Sequence, residues 1–348
     1  MNPLISICIP AYNRASVLHV LLDSVVQQDF RNFEVLVCED HSPERKSIRA
    51  IVHRYQQEHP GLIRYIENET NLGYDGNLQR LIELAVGDYC LFMGNDDVMC
   101  PGALASVASA VTRYQNVGVV LRSYAAFDES PDNVVQEFRY FSQETFFPAG
   151  EDTIATIFRR SVVISGMVVH REAALRYASD RFDGSLLYQL YLVGSILTVM
   201  NGVYLPTILV LYRNGGVPDF GNSEKERGKF VPKEHTPESS LHFMRSMLDI
   251  VRYVESQHGV HIFKPILRDI GNYSYPILAI QADKPLPVFW NYARQLGAMG
   301  FWANKMFYLY LVLLTFLSPK VIDRLIGVVK RRLGYTPVLG SVYRGRPV

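Results

Sequence analysis

LISICIPAYNR, residues 4–14, decides how the rest of the chain is read. Its first seven residues are apolar and rich in isoleucine, the pattern of a strand buried on both faces, and Pro10 ends it. From residue 16 to 28, Val17, Leu18, Val20, Leu21, Leu22, Val25 and Val26 recur at helical spacing, with Ser16 in the N-cap place. The alternation continues with strands expected at 33–38, 63–67 and 88–93 and helices at 46–59, 77–86 and 102–114. Such a pattern makes an α/β fold, a mainly parallel sheet with helices on both faces. Further strands are expected at 118–121, 162–170, 203–205 and 208–212. Ligands of these sheets bind beyond the carboxyl ends of the strands. Polar residues gather there: Tyr12-Asn13-Arg14, Glu39-Asp40, residues 71–77 and Asn95-Asp96-Asp97.

Composition narrows the function classes. The 348 residues are 48% apolar and 20% charged, an ordinary globular balance, and the length suggests about two domains. A formal net charge of +1 excludes a uniformly basic nucleic-acid binder. That average conceals a separation. Residues 320–348 hold seven Lys or Arg and one Asp, a net +6, so the remainder of the chain carries −5. Cys8, Cys38, Cys90 and Cys100 form no CxxC pair, and no His cluster completes a zinc pattern. They read as small hydrophobes in a reducing compartment. The N-terminus enters the first strand with no basic n-region, so no cleavable signal is expected.

The first turn lacks GxGxxG and a Walker loop, so it does not cradle phosphate through glycines. It offers an aromatic face, an amide and a cation instead. Glu39-Asp40 can accept hydrogen bonds from a base or a ribose. Adjacent Asp96 and Asp97 repel each other unless a cation compensates, and oxygen ligands suit Mg²⁺ or Mn²⁺. Each motif alone also fits an ordinary turn or cap.

Together, and in this order, they resemble the inverting nucleotide-sugar glycosyltransferases of family 2. The residues concerned are Ser6 to Arg14, Glu39-Asp40-His41-Ser42, Asn71-Leu72-Gly73, Ala85-x-Gly87-Asp88-Tyr89 and Gly94-Asn95-Asp96-Asp97. Leu205-Pro206 and Leu211-Tyr212-Arg213 match more loosely, so the resemblance covers about residues 4–214. The run from Asn71 to Asn77, with Cys90 and Gly94 to Asp97, is similar to abequosyltransferase-type members that build bacterial surface polysaccharide. The resemblance implies a GT-A fold and a metal-dependent hexosyl- or deoxyhexosyltransferase using Mn²⁺ or Mg²⁺. It places Pro10, Ala11, Tyr12, Asn13, Arg14, Glu39, Asp40, Asn71, Gly73, Asp75, Asn77, Asn95 and Asp96 around the nucleotide sugar. Asp97, with Asp96, would hold the metal.

Three departures stand out. Glu39 replaces an Asp, and Leu78-Gln79 replaces an Arg-Asn pair. Inverting members also carry a catalytic carboxylate where this chain has Leu186 to Leu192, which holds none. The nearest acids are Asp180 and Asp183, and Asp183 becomes the candidate general base. A retaining reaction, which needs no such base, stays open. His170 reads as a core histidine or a residue facing the acceptor. Asp219 and Gly215-Gly216 belong to a lid or to a plain surface loop.

Beyond residue 220 the chain reads as helices, at 239–257, 261–282 and 287–296. The expected division is a catalytic domain at 1–220, a helical region at 221–300 and a membrane-associating segment at 301–348. Residues 306–317 are uncharged but span only ~18 Å at 1.5 Å per residue, against ~30 Å of hydrocarbon. Residues 321–333 are amphipathic and end in Lys330-Arg331-Arg332, a pattern for a helix lying in a membrane interface. The expectation is therefore a peripheral enzyme on the cytoplasmic face of the inner membrane. It would move a sugar from a nucleoside diphosphate sugar to a polyprenyl-diphosphate-linked glycan. The alternative is a nucleotide-sugar-binding subunit of an assembly complex, weakened in catalysis. Oligomeric state stays open.

Overall fold

The computed structural model describes residues 4–216 and 218–333, with side chains of the last helix described to residue 328. The chain opens with Ile5–Ala11 (β1), Ala15–Val26 (α1), Phe33–Glu39 (β2), Arg45–Glu58 (α2), Ile63–Glu67 (β3), Gly73–Leu84 (α3), Tyr89–Phe92 (β4), Val98–Met99 (β5) and Ala103–Arg113 (α4). It continues with Val117–Phe127 (β6), Val134–Phe138 (β7), Thr145–Phe147 (β8), Glu151–Ile157 (α5), Val168–His170 (β9), Arg171–Arg176 (α6), Tyr188–Ile196 (α7) and Asn201–Arg213 (β10). Helices follow: Pro237–His258 (α8), Phe263–Asn272 (α9), Tyr275–Ala279 (α10), Leu286–Ala298 (α11), Lys305–Phe316 (α12) and Pro319–Leu333 (α13).

One sheet runs β3-β2-β1-β4-β9-β6-β10-β5, with β7 added to β6 and β8 to β10. β1 pairs in parallel with both β2 and β4, and β2 with β3, as the strand–helix alternation requires. β9 is antiparallel to β4 and β6, and β6 is parallel to β10. Side chains alternate across β1. Ile5, Ile7 and Ile9 pack with Leu18 and Leu22 of α1, Val52 of α2 and Leu104 of α4. Cys8, on the other face, packs with Leu78 and Leu81 of α3. The helices after β10 extend this second core without a break, through Met244, Tyr292, Phe307, Leu311 and Ile322. The four cysteines are free, and Cys8, Cys38 and Cys90 are buried.

Several expected boundaries move, each for a local reason. Ser16 does not cap α1. The Ala15 N–H instead donates to the Glu44 carboxylate at 2.7 Å, which serves the same orphan amide from another element. The strand expected at 162–170 shrinks to β9. Upstream, the carbonyls of Val163 and Ser165 accept from the buried guanidinium of Arg122, so they are spent away from the ladder. The two strands around residues 203–212 are one, β10, with a register shift between Leu205 and Ile208 where Pro206 withholds its donor. The helix expected at 261–282 breaks before α10, whose first turn contains Pro276. Residue 334 onward lies outside the described residues, including Arg344 and Arg346 of the basic tail.

Candidate active site

The carboxyl ends of β1, β2 and β4 meet at one edge, and the polar turns noted in the sequence converge there. Asn13 and Arg14 both take positive φ, 54° and 64°, which bends the chain sharply out of β1 into α1. The turn aims the Arg14 guanidinium at Asp96, with which it forms an ion pair. Asn95 Nδ2 donates to the Asn13 carbonyl at 3.0 Å, tying the β1 turn to the β4 turn. Pro10 and Ala11 are the last residues of β1, in register with Cys38 and Glu39 of β2.

Asp96 and Asp97 are buried side by side, 8% and 3% exposed. Asp97 accepts from the Ser165 hydroxyl and from the Arg213 N–H (2.8 Å). Burial, and then the neighbouring Asp96 charge, push its carboxyl up to about 7. Glycine at 94 leaves room for this packing: a Cβ there would stand 2.8 Å from Asp97 Oδ2, so the carboxylate would have to shift. Arg213 Nε also donates to the Asp96 carbonyl at 3.1 Å. Arg213 and Ser165 are site residues that the sequence reading missed as such. They lie 116 and 68 residues from Asp97, and only the looser strand motif at 211–213 hinted at one of them.

Asp40 closes the second side. It accepts from Leu72 N (2.8 Å), Gly73 N (2.9 Å) and Asn68 Nδ2 (2.8 Å), yet burial still raises its carboxyl to about 6. Asn71 Oδ1 holds the Gly73 N–H as well. Tyr12 sits between these groups. Burial first, then the charges of Asp219, Asp40 and Glu226, raise its hydroxyl above the ordinary range.

The segment after β10 covers this edge. Asp219 Oδ2 accepts from Asn13 Nδ2 at 3.3 Å, and a Cβ placed on Gly216 would lie within 4 Å of both the Arg14 guanidinium and the Asp96 carboxylate. Glu226, 3% exposed, anchors the segment by accepting from Tyr74 N and Gly221 N, each at 2.8 Å. Gly73, at φ 78°, meets it closely: a Cβ there would lie 2.5 Å from Ser223 Oγ. Val217 lies outside the described residues.

Other expected site residues do different work. Glu39 is fully buried and accepts from His41 N, Ser42 N and Arg45 Nε, so its carboxylate holds the β2–α2 turn. Asp75, 1% exposed, accepts from the N–H groups of Ser185, Leu186 and Tyr188. It clamps α3 to the start of α7 and presents no free edge to a ligand. Asn77 is likewise taken, donating to the Cys38 carbonyl and accepting from Asn68. His170 accepts from Ala173 N as the N-cap of α6 and packs edge-on against Tyr89, which makes it structural. Asp183 accepts from Gln79 Nε2 at 2.8 Å and lines a groove with Lys229, His242 and Tyr253. None of the residues around Asp96 and Asp97 lines that groove.

This set of groups is a polar pocket at a topological edge, with two carboxylates, a paired arginine and an aromatic platform. It stands at the strand ends of a mainly parallel sheet of the GT-A architecture. Residues 6–172, just under half of the chain, match the family model described as glycosyl transferase family 2, which supports a family 2 glycosyltransferase. Abequosyltransferase RfbV of Salmonella typhimurium is 34% identical over 102 residues, 29% of this chain and 31% of that protein. The GalNAc(5)-diNAcBac-PP-undecaprenol beta-1,3-glucosyltransferase of Campylobacter jejuni is 26% identical over 105 residues, 30% of this chain and 33% of that protein. The chain thus spans about a third of the length of these two curated relatives. In structure, S. aureus TarS 1–349 in complex with UDP-GlcNAc superposes with a TM-score of 0.59 at 17% identity, covering 95% of this chain and 92% of that one.

Proposed function

We propose that the protein transfers a sugar from a nucleoside diphosphate sugar to a lipid-linked glycan in the assembly of a bacterial surface polysaccharide. One observation carries the reading: Tyr12, Arg14, Asp40, Asp96 and Asp97 converge under the 214–226 segment at the strand ends. In this reading Tyr12 and Asp40 face the nucleoside, and Asp96 and Asp97 face the diphosphate.

A divalent cation fits this pair in one mode. Among the described residues no group of three His, Cys, Asp or Glu side chains could hold a metal ion, so an ion here would draw further ligands from phosphate and water. Mg²⁺ and Mn²⁺ sites of phosphate-transferring proteins often use one or two carboxylates, with phosphate and water completing the shell. Asp97 suits that mode, because its partners are a hydroxyl and a peptide N–H and no cationic side chain pairs with it among the described residues. Bound there, the ion would stabilise charge on a departing nucleoside diphosphate. Arg14, paired with Asp96, adds a cation on the same side.

Two carboxylates compete for the proton of the attacking hydroxyl. Asp183 is the one the family comparison of motifs suggested, and its groove is separate from the donor edge. Asp219 is the one held over the donor edge by Asn13. The relative from Campylobacter, whose name specifies an undecaprenol diphosphate glycan, supports a lipid-linked acceptor.

The helices after residue 300 support contact with a membrane surface. No helix among the described residues is long and apolar enough to cross a bilayer. Yet Leu309, Val312, Phe316, Leu325 and Val328 are 43–81% exposed along α12 and α13. An apolar surface of this kind suits a helix pair lying in the interface. The test is a panel of nucleoside diphosphate sugars with Mn²⁺ and a prenyl-linked acceptor, read by mass spectrometry with anomeric analysis. Product with one donor supports the reading. Donor binding without transfer across the panel points instead to a nucleotide-sugar-binding subunit.

A further inference from the structure

A cavity of about 850 Å³ lies between the sheet and the C-terminal helices. It falls in the upper part of the range of ligand sites, roughly 300–1,000 Å³. One end reaches the segment over the donor edge. Pro218 and Phe220 line the cavity, while Asp219 between them turns to Asn13. The other end is walled by Tyr310 and Leu313 of α12 and by Ile322, Leu325 and Ile326 of α13. Leu325 is also 57% exposed, so this wall is continuous with the apolar surface described above. Phe243, Met244 and Met247 of α8 and Ile277 of α10 form the middle.

The lining is mostly apolar, with Glu234 and His235 at its exposed rim and one cluster of charge deeper in. Arg159 and Arg160 both line the cavity and share a single carboxylate, Asp269, at 2.7 and 3.2 Å. Arg160 is 4% exposed and Asp269 is fully buried. Arg160 Nε has no hydrogen-bond partner. Arg159 lies over the Tyr273 ring at 4.0 Å, and Arg160 lies near the rings of Tyr140 and Phe141. Two guanidinium groups share one carboxylate, which leaves a surplus positive charge at the cavity wall, on the partly exposed Arg159 and the buried Arg160. A buried charge is costly unless paired, and arginine pairs phosphate oxygens through its planar fork. Asp269 Oδ1 is also unpartnered and would remain so.

We infer that this cavity seats the lipid part of the acceptor: an isoprenoid chain among α8, α10, α12 and α13, with its diphosphate against Arg159 and Arg160. The inference rests on the lipid-linked acceptor proposed above and adds where the lipid is held. Such a ligand would enter from the exposed face of α12 and α13. Its sugar end would emerge beside Pro218 and Phe220, under the segment that also covers the donor.

The test uses the full chain and geranylgeranyl diphosphate as probe, by equilibrium dialysis. Geranylgeranyl diphosphate is expected to bind at least about tenfold tighter than geranylgeraniol or inorganic diphosphate, since only it satisfies both walls and charge. R159Q leaves one arginine matched to Asp269. It is expected to weaken the diphosphate probe about tenfold and geranylgeraniol less than about twofold. L313W fills the apolar end and is expected to weaken both prenyl probes about tenfold. Equal binding of alcohol and diphosphate, or full binding by both variants, overturns the assignment. Should L313W not fold, as read by circular dichroism, the probe ratio and R159Q decide. Prenyl diphosphate binding as stated, with no glycosylation of any lipid-linked acceptor, sinks the acceptor reading and leaves the cavity standing. Lipid-linked transfer that both variants leave untouched does the reverse.

Discussion

Two buried clusters of charge lie in this molecule, and each lacks what the other has in excess. At the donor edge, Asp96 pairs with Arg14, while the Asp97 carboxylate accepts, among the described residues, from a hydroxyl and a peptide N–H. In the C-terminal cavity, Arg159 and Arg160 converge on the single Asp269. Folding alone favours neither arrangement, since uncompensated buried charge is destabilising. The first cluster suits a cation with a bound diphosphate, the second an anion on an apolar carrier. A transferase with two diphosphate-bearing substrates needs both kinds.

The sharpest way to break this contrast is D97N. If Asp97 serves a metal, transfer should fall on the order of 10³-fold, corresponding to the several kcal/mol that a metal ion contributes to transition-state charge stabilisation. Stability should hold or rise, because the fold already disfavours the ionised carboxyl. Activity assays and chemical denaturation on the same sample check both. An equal loss in both would make Asp97 structural, like Asp75.

Asp269 should behave in the opposite way. D269A leaves the buried Arg160 without a carboxylate, and should cost about 3–5 kcal/mol of stability. R159Q should change stability by less than about 1 kcal/mol, since Arg159 is partly exposed and screened. Urea denaturation of the pair reads the difference. Similar costs for both variants would show that the cluster has no surplus cation.

The pH dependence separates binding from stability. Asp40 and Asp97 have carboxyls raised to about 6 and about 7. Their ordinary value is near 4, so the neutral forms favour the fold. That contribution is complete below about pH 4 and is lost as pH rises through 6 to 7. Metal-dependent donor binding runs the other way, because Asp97 must lose its proton. Calorimetric titration should show affinity rising about tenfold between pH 6 and 8, the change in deprotonated fraction for a group titrating near 7. A flat profile would mean Asp97 is already ionised without the metal.

The sheet and the donor edge were legible in the sequence because their logic is local. Strand–helix alternation sets the parallel pairs, and the polar turns follow directly on the strands that position them. Leu4 to Arg14 carries most of that information. What stayed hidden depends on contacts made across long separations. Glu226 reaches back 152 residues to Tyr74, and Arg159 reaches forward 110 to Asp269. Asp75 and Asn77 looked like ligand-binding residues because of their motif. Their buried side chains are engaged instead by the N–H groups of Ser185, Leu186 and Tyr188, and by the Cys38 carbonyl and Asn68. The N-cap of α1 failed for the same reason: Ser16 fits the propensity, but Glu44, just before α2, supplies a carboxylate to the Ala15 N–H.

The smallest effect concerns how the second cluster would be reached. Deleting everything from residue 306 and watching for the protein to leave the membrane fraction is the direct test of the membrane-associating segment. The packing makes that experiment ambiguous. Phe307, Leu311 and Leu314 of α12 are buried in the second core, so the deletion would also strip the core and expose it. The outward face can be tested alone. Phe316 is 81% exposed and is not among the residues of that core. F316S should weaken binding to vesicles of phosphatidylglycerol and phosphatidylcholine about fivefold, the worth of one aromatic side chain partly buried in the interface. Its unfolding midpoint should stay at the wild-type value. Cosedimentation measures the first and thermal melting the second. Unchanged vesicle binding would detach the α12–α13 face from the membrane. The entry of a lipid anion toward Arg159 and Arg160 would then have to occur in solution, from a carrier rather than a bilayer.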